Sequence, residues 1–83
     1  MTATVLPAMS GQPDDYRATF GRNLKAARNR RGLSQMDLGR ELDIHVTAIA
    51  RLETGNRDPR LATIIKLARG LHVRPAELLD GIE

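Results

Sequence analysis

Between Ser34 and Gly55 the chain carries two helix starts and two helix stops, which leaves room there only for two short helices and a brief junction. The first start is the run Leu33-Ser34-Gln35-Met36-Asp37-Leu38. Ser34 is placed to cap, an acid follows three residues later, and Leu33 and Leu38 can close over the cap as a hydrophobic staple. This helix ends by Leu42, because Asp43 interrupts the apolar pattern and the pattern restarts after Ile44. Aspartate tolerates the left-handed backbone of such a stop better than most residues other than glycine. The next helix runs from about Val46 to Glu53 or Thr54, burying Ile49 and Leu52, and Gly55 ends it.

The flanking segments are helical by the same signs. A helix before the pair begins near Asp14 or Asp15 and runs to Arg30 or Arg31, with Gly32 as its left-handed stop. Phe20, Leu24 and Ala27 fall on one face of it, while Arg17, Arg22, Lys25, Arg30 and Arg31 largely take the others. After the pair, Asp58-Pro59 opens a fourth helix, with the acid as cap and the proline at the first helical position. Its apolar residues Leu61, Ile64, Ile65, Ala68 and Leu71 keep the helical period, and Pro75 starts a last short helix through Leu78 and Leu79, closed near Gly81. Gly39 removes bulk where the second and third helices must approach. The chain is therefore expected to form an all-α, compact five-helix domain over residues 14–83, preceded by a disordered arm over residues 1–13. That arm mixes small and polar residues with Pro7, Gly11 and Pro13 and has no lysine or arginine.

Composition removes several classes of chemistry. With no cysteine there is no disulfide framework and no thiolate, and the two histidines alone do not make a zinc site. The carboxylates are dispersed, no nucleophile-and-base order appears, and there is no glycine-rich phosphate cradle, so no catalytic, cofactor-binding or metal-ligating residue is assigned and an enzyme is not expected. No apolar run approaches the roughly 20 residues that would cross a bilayer. No secretory signal opens the chain, so a cytoplasmic location without membrane attachment is expected. The net charge of +3 hides an asymmetry. Residues 16–74 hold all 13 lysines and arginines against five acids, an excess of eight, with the remaining acids at the two ends. A polyanionic partner fits such a field, although a basic block is also what an ordinary solvated surface looks like.

Three segments in order resemble the Cro and phage-repressor type of helix-turn-helix domain, also called the xenobiotic-response-element family. Ser34-Gln35-x-x-Leu38-Gly39 is similar to the opening of that family's second helix, and Ile49-x-x-Leu52-Glu53-x-Gly55-x-Arg57-x-Pro59 to its recognition helix and following turn. The closing Leu71-x-Val73-x-Pro75-x-x-Leu78-Leu79 is similar to its last helix, so the likeness extends over residues 16–80. Asp43 and His72 stand where the family often has glycine. His45 stands where a serine or threonine usually caps the recognition helix, so a strained or compensated start is expected there.

The resemblance implies a small sequence-specific DNA-binding regulator, in the sense of a repressor, with double-stranded DNA as partner and no cofactor. Helices of this kind lie with the second of the pair in the major groove. Carried over by position, it turns His45, Val46, Thr47 and Arg51 toward base edges. A guanidinium can bond guanine O6 and N7 together, while Val46 and the Thr47 methyl suit thymine methyls. Ser34, Gln35, Thr54, Asn56, Arg57 and Arg60 become phosphate contacts, and Arg28 and Glu53 a partly buried ion pair joining the first helix to the recognition helix. From the residues alone Arg51 reads as a solvated helix arginine, Val46 equally as core, and both histidines as surface or structural groups.

Leu71, Val73, Leu78, Leu79 and Ile82 supply more apolar surface than one short helix needs, although Leu71 and Leu78 read equally as ordinary core residues. The surplus suggests a homodimer built on the C-terminal helices, reading a palindromic operator with its two recognition helices about 34–36 Å apart. A phage or plasmid repressor, a restriction-modification controller and an antitoxin all fit a lone domain of this length. The alternative function is an antitoxin-type adaptor whose N-terminal arm folds onto a protein partner, with DNA binding secondary.

Overall fold

A computed structural model of the chain describes residues 13–83, with side chains from residue 16 onward. The disordered arm expected over the first 13 residues lies, up to residue 12, outside the described residues. Five helices follow in order: α1 Pro13–Arg30, α2 Gln35–Leu42, α3 Val46–Thr54, α4 Leu61–Leu71 and α5 Pro75–Leu78. No strand occurs among the described residues, and the fold is the all-α arrangement read from the sequence.

The stops are built alike. At the ends of α1, α2, α3 and α4 the residues Gly32, Asp43, Gly55 and His72 all have φ between 56° and 80°. In each case the following N–H reaches back to a carbonyl five residues earlier, as in Leu33 to Arg28, Ile44 to Gly39, Asn56 to Arg51 and Val73 to Ala68. This closure satisfies carbonyls that the helix end would leave unpaired. Asp43 and His72 adopt a backbone that costs a side-chain-bearing residue energy, so both turns are held by their surroundings.

The starts are more varied. The Ser34 hydroxyl accepts the Asp37 N–H at 2.9 Å and the Asp37 carboxylate accepts the Ser34 N–H at 3.0 Å, a reciprocal capping box. Hydrogen bonding to the carboxylate from the Ser34 backbone N–H, and after it from the Ser34 hydroxyl, holds the Asp37 carboxyl below the usual aspartate range. The start of α4 differs from the expectation. Its N-cap is Arg60, without a side-chain cap, and Asp58 and Pro59 precede the helix. The physical reason is tertiary: the Asp58 carboxylate accepts the Tyr16 hydroxyl of α1 at 2.8 Å and sits 3.9 Å from the Arg17 guanidinium.

The core lies where one face of each helix meets the others. Phe20, Leu24 and Ala27 of α1, Leu38 of α2, Ile49 and Leu52 of α3, Ile64, Leu67, Ala68 and Leu71 of α4, and Leu78 of α5 are all buried. Leu33, Leu42, Ile44, Val73 and Ile82 pack against its edges. Leu67 belongs to the α4 stripe although the sequence reading left it out, and Leu61, placed in that stripe, is 70% exposed. The helix begins one turn before it reaches the core. α1 and α3 lie close together at Gly21, where a Cβ would meet the Glu53 carbonyl oxygen and lie 2.6 Å from that of Leu52. At Gly39 a Cβ would lie 2.6 Å from the Ile44 carbonyl oxygen. The bulk relieved there is thus in the turn between α2 and α3.

The C-terminal leucines correct one part of the sequence reading. Leu71 and Leu78 are 2% and 0% exposed within this chain's own core, so they are unavailable as surface contacts to a second copy. Leu79 is exposed, and Val73 and Ile82 are half-buried against the core.

Candidate nucleic-acid interface

The helices α2 and α3 are joined by Asp43, Ile44 and His45 and fixed to α1 by one buried charged cluster. Arg28 of α1 donates to Glu53 of α3 through both Nε, at 2.6 Å to Oε2, and a terminal nitrogen, at 2.9 Å to Oε1. The side chains are 9% and 3% exposed. Arg28 also donates to the Leu33 carbonyl at 2.7 Å, just before α2 begins. The Glu53 hydrogen bond, opposed by burial and reinforced by the carboxylate charge, holds the guanidinium above its ordinary value. The bidentate geometry fixes orientation as well as distance, because two parallel hydrogen bonds constrain rotation about either one.

Gln35 joins this cluster. It stands at the first position of α2, half-buried, and its Nε2 donates to Glu53 Oε1 at 3.0 Å. One carboxylate therefore holds side chains from α1 and α2 to the penultimate residue of α3. The sequence contains no local sign of the Gln35 contact, since the two residues are separated by 18 positions and by a turn.

With its inner face fixed, α3 leaves the cap residue His45 and, within the helix, Thr47 and Arg51 exposed, with Val46 half-buried at its first turn. Among the described residues none of these three exposed side chains bonds to another side chain. The helix start is compensated: His45 Nδ1 accepts the Thr47 N–H at 3.1 Å and caps the helix. At the other end the Thr54 hydroxyl is turned back on the Ala50 and Arg51 carbonyls, both at 3.2 Å, and accepts the Asn56 side-chain amide at 3.1 Å. Ser34, Arg57 and Arg60 are exposed.

Arg57 and Arg60 line one hollow of about 260 Å³, beside Ala48 of α3 and Thr63 and Lys66 of α4. Asp58 also lines it, but that carboxylate is engaged by Tyr16 and Arg17, so the rim is dominated by three cations. Lys66 was not singled out in the sequence, because only the folded chain brings α4 beside the loop arginines. Met36, 53% exposed, shares a second hollow of about 470 Å³ with His45 and Val46, which adds an apolar side chain near the start of α3. Among the described residues no cluster of three or more histidine and carboxylate side chains could hold a metal ion, and no helix is long and apolar enough to cross a membrane.

Comparison with known proteins places these elements in context. The helix-turn-helix family model matches residues 24–78, from the core of α1 to the end of α5. The chain is 35% identical over 68 residues to the control protein C.BamHI of Bacillus amyloliquefaciens, covering 81% of this chain and 84% of that one. It is 31% identical over 71 residues to the control protein C.MunI of a Mycoplasma species, covering 84% of this chain and 96% of that one. Among solved structures it is similar to the restriction-modification controller protein C.AhdI of Aeromonas hydrophila, with a TM-score of 0.72 and 34% identity over 75% of this chain and 94% of that one.

Proposed function

The chain belongs to the helix-turn-helix family, and from that premise we propose that it is a sequence-specific DNA-binding transcriptional regulator of the restriction-modification controller kind, reading its operator with α3 in the major groove. The observation that carries this reading is the exposed row His45, Thr47 and Arg51 on a helix whose inner face is locked by the Arg28–Glu53 pair. An anchored helix that exposes polar groups at its cap and along its length meets the demand of base readout. No catalytic step is assigned to it.

Arg51 supplies the strongest discrimination, through guanine O6 and N7 together. Val46 and the Thr47 methyl supply apolar contact with thymine, and His45 a polar contact at the helix start. Ser34, Gln35, Asn56, Arg57 and Arg60 set the register on phosphates, contributing affinity without sequence information, while the Thr54 hydroxyl donates to the Ala50 and Arg51 carbonyls instead. For Gln35, the backbone N–H at the first position of α2 is the group presented to the phosphate, since its side chain serves Glu53. The basic excess of the central segment supports a strong salt dependence.

The operator is palindromic and the protein binds it as a homodimer. Leu79, with Val73 and Ile82 beside it, is the apolar surface left near the C-terminus after the core has taken Leu71 and Leu78. Light scattering at rising protein concentration tests this, and a monomer throughout, with and without DNA, overturns it.

The test of the function is binding to the DNA upstream of the protein's own gene at several salt concentrations, for wild type and Arg51→Ala. One cooperative footprint is expected. Arg51→Ala should lose about 1–3 kcal/mol of preference for the footprint over unrelated DNA while its nonspecific binding changes little. Weak binding that is indifferent to sequence and to Arg51 would overturn the assignment.

A further inference from the structure

The imidazole at the start of α3 carries two ring nitrogens, and only one of them is committed to the helix start. His45 Nδ1 accepts the Thr47 N–H at 3.1 Å. An imidazole nitrogen that accepts a hydrogen bond carries no proton, and the neutral ring must then carry its proton on the other nitrogen. The cap therefore selects the tautomer with Nε2–H. That N–H has no hydrogen-bond partner among the described residues, and the residue is exposed at the first turn of α3. The nearest charged groups around the same hollow are Arg40 and Asp43, and neither bonds to the ring.

Resting on the DNA-binding reading above, we propose that His45 is a specificity-determining residue that reads a hydrogen-bond acceptor on a base edge through Nε2–H, in a tautomer fixed by its own capping bond. In the major groove the acceptors are purine N7, guanine O6 and thymine O4, whereas cytosine N4 and adenine N6 present donors. A ring locked as a donor accepts the first set and is repelled by the second. The bond that stabilises the helix start and the polarity of the readout are thus one feature, because a ring free to exchange tautomers would offer either polarity to the DNA.

Two variants separate the jobs. His45→Ser keeps a capping oxygen and removes the reading nitrogen, while His45→Ala removes both. Long-range proton–nitrogen NMR of the free wild-type protein should show Nδ1 unprotonated and Nε2 protonated, and a proton on Nδ1 or an averaged ring overturns the proposal. Binding is then measured on operators in which each base pair of one half-site is replaced in turn, with Arg51→Ala as the reference variant. Wild type should prefer an acceptor at one position abutting that read by Arg51, by about 2- to 10-fold, the range of one net hydrogen bond. His45→Ser should melt as wild type does and lose that one preference. If it keeps every preference while Arg51→Ala loses its own, the role of His45 fails and the DNA-binding reading stands. If the wild type prefers no operator at all, the DNA-binding reading fails and this inference with it.

Discussion

Removing the Glu53 carboxylate should unfold this protein before it disturbs any contact to DNA. The group accepts two hydrogen bonds from Arg28 and one from Gln35, and its side chain is 3% exposed. In Glu53→Ala the guanidinium keeps only the Leu33 carbonyl, so a cation that is 9% exposed is left without its counter-charge. Breaking a buried pair from one side costs about 3–5 kcal/mol. A domain of this length is stable by roughly 4–12 kcal/mol, so the loss is a large part of the whole. At about 4–8 °C per kcal/mol the thermal midpoint should fall by at least about 12 °C, read by circular dichroism.

The cost lies in the orphaned charge, and a second variant isolates that cause. Arg28→Met together with Glu53→Met removes both charges and fills the space with apolar atoms, which commonly leaves stability near its starting value. The double variant should therefore melt well above Glu53→Ala. A Glu53→Ala midpoint within a few degrees of wild type would refute the argument, as would a double variant no more stable than the single one.

The remaining expectations concern the caps and one close contact. Because Ser34 holds the Asp37 carboxyl below its ordinary value, the capping box stabilises the fold above the usual aspartate range, and the contribution disappears as pH falls through the lowered value. Acid titration of the melting midpoint should show that loss for wild type and a flatter curve for Asp37→Asn. Gly21→Ala should destabilise by about 1–3 kcal/mol in urea unfolding, since its new methyl meets two backbone carbonyls of α3 that cannot rotate away. His72→Gly should raise stability by about 0.5–1 kcal/mol, because φ of 59° suits glycine and the His72 side chain makes no hydrogen bond among the described residues. Unchanged stability in either glycine variant would show that the turn or the helix contact relaxes at no cost.

Much of the fold was legible because its signals are local. The Ser34–Asp37 box and the stops at Gly32, Asp43 and Gly55 each lie within a few residues of what they control. Where the reading departed from the structure, a distant residue decided. Asp58 has the form of a helix cap, but Tyr16 lies 42 positions away and takes the carboxylate. Gly21 sits inside a helix with no turn to suggest its use, and its reason is the backbone of α3 on the other side of the contact. The Gln35 side chain was read as part of an outward, phosphate-facing residue, and Glu53 draws its amide inward.

Apolar residues show the same limit from the other side. The helical period identifies which residues face inward but gives no measure of how far the inside extends, so Leu61 and Leu71 carry the same sign in one stripe. In the folded chain they are 70% and 2% exposed. Likewise Leu78 and Leu79 are neighbours in an apolar run, and only the first is drawn under α1, where Asn23 of that helix donates to the Leu78 carbonyl at 2.9 Å. The surplus that suggests a second copy is therefore smaller than the count of C-terminal leucines and is concentrated at Leu79. If Leu79 anchors the twofold contact, Leu79→Glu should abolish the dimer while costing the isolated chain less than a charge at Leu78 would, because the Leu79 side chain is 38% exposed. Core positions would not behave that way: a charge at Leu78 would be buried without a partner and would unfold the monomer itself.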